Sequence, residues 1–129
     1  MKTIDSTVEP GETVIQVVIA VPIVLSMLLI AVQAMLFMHS AKIASLAASK
    51  GASIAATSQG DVVEALNSVT LTVAELGAQL VGTPTAVIEN DFALVHVRVA
   101  VPTVAPFFPD SVLRHGIEPL EIFVREVDR

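Results

Sequence analysis

The chain has 129 residues, enough for one domain plus an extra segment and too few for two full domains. A formal charge of -6 and an isoelectric point near 4.8 offer no attraction to nucleic-acid phosphate or to an anionic lipid surface. The absence of cysteine, tryptophan and tyrosine excludes disulfide frameworks, thiolate metal sites, cysteine nucleophiles and most aromatic stacking platforms.

An apolar content of 53% and a mean hydropathy of +0.76 exceed those of an ordinary soluble domain, and the excess is concentrated near the amino end. The acidic stretch that includes Asp5 and Glu9 reaches Gly11 and Glu12 and then turns abruptly apolar. From Thr13 to Ala41 there is no Asp, Glu, Lys or Arg, and Val14 to Met38 is dominated by aliphatic side chains. At ~1.5 Å rise per residue, about twenty-five such residues span roughly 37 Å, more than a ~30 Å hydrocarbon core, so one transmembrane helix fits. Gln16, Ser26 and Gln33 interrupt the run, and polar side chains in lipid turn toward a partner helix. Pro22 removes the amide donor that would bond the carbonyl of Val18, which predicts a kink there. Lys42 and Lys50 follow the span while Lys2 precedes it, so basic residues alone lean toward a cytoplasmic carboxyl side.

From Ser40 to Thr57 the sequence is rich in alanine, the best helix former, with Gly51 as its one interruption. A single helix from about Glu12 to Ser58 is predicted, with Gly60 as its stop and Asp61 as the next N-cap. Ala44, Ala48, Ala52 and Ala56 recur every fourth residue beside a row of Ala41, Ser45, Ser49, Ser53 and Thr57. Rows of small side chains let another backbone approach closely, so this stretch reads as a helix-contact surface.

Val62, Leu66, Val69, Val73, Leu76 and Leu80 alternate spacings of four and three, which predicts a second helix from Asp61 to about Val81. Two β-branched runs follow, separated by Asn90 and Asp91, a good hairpin turn. In the second run Val95, Val97, Val99 and Val101 share one face while His96 and Arg98 point from the other. The proline-punctuated stretch from Pro102 to Asp110 is read as a loop, its Phe107 and Phe108 serving either as core anchors or as an exposed patch. Leu120 to Val127 is read as a third strand. The predicted class is α+β: a long amino-terminal transmembrane helix followed by a second helix packed on a small antiparallel sheet of about three strands. The expected division is 1–11 as a polar prefix, 12–40 as the span, 41–60 as an Ala-rich stalk and 61–129 as the α+β domain.

Nothing in the chain carries an enzymatic signature. His39, His96 and His115 lie far apart in sequence without metal-ligand spacing, and no nucleophile elbow, zinc-protease helix or Gly-rich phosphate loop occurs. Glu118 and Glu121 around Pro119 read as a charged strand edge rather than as paired acid-base carboxylates. A non-enzymatic protein without cofactor or metal is expected.

The stretch from Pro10 to Ala56 resembles the TadE-like minor pilins or pseudopilins of tight-adherence pilus systems, with a weaker likeness in the Val-rich strand and the ending from Pro119 to Glu126. The shared elements are a short polar leader ending in Gly11, a polar residue, Gln16, fifth after it, a hydrophobic helix with Pro22 about eleven residues in, and an Ala-rich tail. The resemblance implies that residues 1–11 are a leader, that an aspartyl prepilin peptidase cuts between Gly11 and Glu12 on the cytoplasmic side, and that the domain lies outside the cytoplasm. It further implies assembly contacts at Gln16 and Pro22, and partners that include other pilin-like subunits and the pilus assembly platform. The family usually has Glu where this chain has Gln16, and an amide offers a neighbouring amino terminus only a neutral hydrogen bond. Two rival readings are a membrane-tethered binding module whose ligand meets the sheet around His96 and Arg98, and a domain secreted after cleavage at the Ala31–Ala34 sequence. The apolar run before Ala34 is longer than the ~7–15 residues of a secretory signal core, which counts against the second.

Overall fold

A computed structural model describes residues 10–57 and 61–121. The class is α+β as predicted: α1 (Pro10–Thr57) and α2 (Val62–Glu75) precede the strands β1 (Thr85–Glu89), β2 (Phe92–Ala100) and β3 (Ser111–Pro119). The three strands form an antiparallel sheet in the order β1-β2-β3. The predicted third strand beyond Leu120 falls largely on residues outside those described; Leu120 and Glu121 are not in a strand, and β3 lies upstream of them. His115, expected in a loop, is therefore on β3.

α1 is one helix of 48 residues, about 72 Å long at ~1.5 Å per residue. Pro10 stands at its first position, where a missing N–H costs nothing, and Glu12 lies in the first turn, where a carboxylate favours the helix dipole. The helix continues through Pro22 without interruption. Ser26 donates its hydroxyl to the Pro22 carbonyl at 2.7 Å, so that polar side chain is satisfied by its own helix.

α2 starts where predicted. Asp61 accepts hydrogen bonds from the amides of Val63 and Glu64, as an N-cap should. It ends six residues earlier than expected because Gly77, at φ 73°, closes a Schellman turn. The amide of Gly77 donates to the Ala74 carbonyl and that of Ala78 to the Val73 carbonyl. Leu80, expected on the helix, instead forms a bridge with Val99 on β2. The buried face of α2 is Ala65, Val69, Thr72 and Val73, while Leu76 is exposed, so the stripe lies to one side of the predicted one. Asn90 and Asp91 both have positive φ, 51° and 64°, which gives the hairpin its primed turn.

The core lies between α1 and the inner face of the sheet. Val95, Val97 and Val99 of β2 are fully buried against Ala44, Ala47, Ala48 and Ala52 of α1, with Val69 and Val73 of α2 closing one side. A smaller cluster of Ala55, Ala56, Ala65 and Ala93 continues it toward the far end of α1. This interior of valine and alanine works because the backbones come close. Gly116, paired with Val95 across the sheet, faces α1 so tightly that an added Cβ would stand 2.4 Å from the Ala48 carbonyl oxygen. Gly51 allows the same at the α1–α2 crossing, where a Cβ would meet the Val69 Cγ2 at 2.5 Å.

These two glycines should respond differently to the same change. Gly116→Ala meets main chain that cannot rotate away, and a loss on the order of 3 kcal/mol is expected. Gly51→Ala meets side-chain methyls of Val69 and Val95 rather than main chain and gains about 1 kcal/mol of helix propensity, so its net loss should be smaller. Denaturant unfolding of the full chain in detergent micelles, followed by circular dichroism, measures both; equal losses would contradict the close-packing account.

Candidate functional site

The most unusual surface of the molecule is the first half of α1. Every large aliphatic side chain from Val14 to Val32 is exposed, and the most apolar part of the helix has nothing of the chain packed on it. This is one helix long and apolar enough to cross a membrane, near the amino end of the chain. Gly11 and Glu12 are exposed in its first turn, with nothing within 4 Å of where a Gly11 side chain would be. Residues 1–9 of the expected leader lie outside the described residues. Gln16 is exposed and has no hydrogen-bond partner among the described residues. Pro22 lies on the bare segment.

Gln33 behaves otherwise. It is completely buried, and its amide is spent within the chain. Its Nε2 donates to the Pro102 carbonyl at 3.2 Å, and its Oε1 accepts from the amides of Val104 at 2.7 Å and Ala105 at 3.3 Å. The expectation that Gln33 turns to a separate partner helix is thus corrected. The loop that follows β2 has backbone donors and acceptors that no strand satisfies, and one amide side chain supplies both kinds of partner. Of the three polar interruptions in the apolar run, Gln16 alone is left free of an intrachain bond among the described residues.

The small-residue row is also spoken for. Ala44, Ala48, Ala52 and Ala56 are buried beneath the chain's own sheet and α2, so they are not a surface offered to another subunit. The reason is the one that made the row conspicuous: small side chains admit a close neighbour, and the nearest neighbours are the elements that follow in sequence. The adjacent Ser45, Ser49, Ser53 and Thr57 remain exposed. Lys50 reaches across to donate to the Thr72 hydroxyl at 3.1 Å, tying α1 to α2.

At the opposite face of the sheet, His96 and His115 are directly paired across β2 and β3, with ring centroids 6.0 Å apart. Sequence spacing alone does not place them together, because the sequence reading puts His115 in a loop, whereas it stands on β3. Arg98 is exposed on the same face, beside Leu113. No cluster of three potential metal-ligating side chains occurs among the described residues. Around the pair, Val87, Phe92, Leu113 and Ile117 are exposed apolar side chains.

The loop held by Gln33 carries a further oddity that sequence reasoning left open. Ala105 is buried, whereas Phe107 is wholly exposed, and it sits at φ 75°. An aromatic residue in the left-handed region costs roughly 1–2 kcal/mol, so the turn presents this ring outward at an energetic cost. Compared with protein-family models, curated proteins and solved structures, the chain matches none of them.

The Gln33 clasp is testable. Gln33→Leu keeps the volume but leaves the Val104 and Ala105 amides without their acceptor, at about 1–3 kcal/mol for each buried group. Hydrogen exchange at these two amides should accelerate strongly while the β2 amides of Val95 and Val97 stay protected. Unchanged exchange at Val104 would show that the loop is held by something else.

Proposed function

We propose that the chain is a minor pilin-like structural or assembly subunit of a tight-adherence type IV pilus or related secretion system. It is a single-pass protein of the cytoplasmic membrane, anchored by the first half of α1, with the α+β head outside the cytoplasm. Prepilin peptidase cuts after Gly11, so the mature chain begins at Glu12, and the protein is not an enzyme. The observation that carries this reading is the continuity of α1: an uncovered apolar span runs without a break into the helix around which the head is built. A lipid anchor that serves only as a tether needs no such rigid connection, whereas a subunit that transmits packing from span to head does. Exposed Gln16 is the polar group left to meet a neighbouring apolar helix, and exposed Gly11 is accessible to a protease.

Secretion by cleavage after Ala34 fits poorly with this architecture. It would remove Gln33 and with it three hydrogen bonds that hold the β2–β3 loop. A membrane-tethered binding module is the second reading, favoured by the exposed apolar side chains around His96, His115 and Arg98 on the outer sheet face.

Mass spectrometry of the chain recovered from both the membranes and the medium of native cells separates these readings. A terminus at Glu12, lost when Gly11 is replaced by Val, is expected; an uncut leader supports the tethered module, and a chain starting at Met35 the secreted form. Gln16→Leu should leave head folding and membrane insertion intact and reduce co-purification with other pilin-like subunits. Undiminished co-purification would remove Gln16 from the assembly contact.

A further inference from the structure

We propose that the β2–β3 loop, residues 101–110, is a membrane-seated foot: Val104 and Phe107 enter the outer leaflet of the bilayer that α1 crosses. This rests on the reading of α1 as a membrane span and goes beyond it, because it assigns a lipid contact to the head.

The fold fixes which end of the head meets the bilayer. β2 begins at the level of Ala55 and Ala56, against which Ala93 packs, and runs back along α1 until Val101 joins Ile43. The loop then reaches Gln33, and β3 returns to bring Gly116 onto Ala48. The β2–β3 loop is therefore the end of the head nearest the bare helix. From Val14 to Gln33 the helix rises roughly 28 Å at ~1.5 Å per residue, close to the ~30 Å thickness of a hydrocarbon core. A bilayer that covers the bare segment must have its outer boundary at the level of Gln33, which is where the loop is fastened.

At that depth the chemistry of the loop suits lipid rather than water. Val104 and Phe107 are exposed, Phe107 completely so, and the amides of Val104 and Ala105 with the Pro102 carbonyl are already satisfied by the Gln33 amide. Bare polar backbone is the chief obstacle to lowering a loop into an interface, and the clasp removes part of it. The left-handed φ of Phe107 turns its ring outward instead of letting it fold onto the head. Nine residues beyond Gln33 on α1, Lys42 lines a groove with Arg114, Phe37 and Met38, which places cations on the water side of that boundary. The exposed apolar side chains of the loop are thus fastened at the end of the bare span, and the occupant they fit is the same lipid.

The natural chain has neither tryptophan nor tyrosine, so a single introduced indole is the only such fluorophore. The full chain is reconstituted in phosphatidylcholine vesicles as three variants: F107W in the loop, V24W on the bare helix and F92W on the outer sheet face at the far end of the head. Each is quenched by phosphatidylcholine brominated on its acyl chains and, separately, by aqueous acrylamide. Expected is severalfold stronger bromolipid quenching of F107W than of F92W, with matching protection from acrylamide. If V24W responds to bromolipid while F107W behaves like F92W, the foot is overturned and the span stands. If V24W itself ignores bromolipid, the span reading fails and the foot with it. Shielding of F107W from both quenchers assigns the loop to a protein contact and overturns the lipid assignment.

Discussion

Gln33 is where α1 changes its surroundings, and most of the architecture follows from how that change is managed. Toward the amino end the helix is apolar on all sides and uncovered; toward the carboxyl end one face is sealed by the sheet and α2. At such a boundary the first chain segment of the head approaches the helix with unpaired main-chain groups. A buried carboxamide answers this because it donates and accepts at once, taking the Pro102 carbonyl with one atom and two loop amides with the other. A leucine there would fill the space and leave three polar groups stranded.

Beyond that boundary the head is assembled by proximity rather than by bulk. Among the described residues no aromatic side chain is fully buried; the contacts are valine on alanine, with Gly51 and Gly116 at the closest points. Such packing buries little area per side chain, and stability then depends on near-perfect fit over a long helix face. It also couples head and helix. The row Ala44, Ala48, Ala52 and Ala56 cannot release the sheet without exposing the core, so α1 cannot be a detachable stalk.

The local elements were legible because their signals are local. An uncharged run of more than twenty aliphatic residues, an Asp61 cap ahead of an apolar stripe, and Asn90–Asp91 between two β-branched runs each act within a few residues of chain. The misplacements came from competition between equally local signals. The stripe of α2 extended past Gly77 on hydrophobic spacing, but left-handed backbone at Gly77 closed the helix first. Arg114, His115 and Gly116 break the alternation of apolar residues and hide β3 from periodicity, and it is the tight approach of α1 that makes glycine the right inward residue there.

The sequence by itself determined the α+β class, the apolar span and the small-residue face, since composition and periodicity are properties of neighbouring residues. Which partner that face receives, and what Gln33 bonds, were decided only by the tertiary structure. A polar or small side chain announces that something must come close; it does not say what. The answer here is the returning end of the same chain, some seventy residues downstream of Gln33, because a tethered segment reaches its site without the entropy loss that a separate molecule must bear.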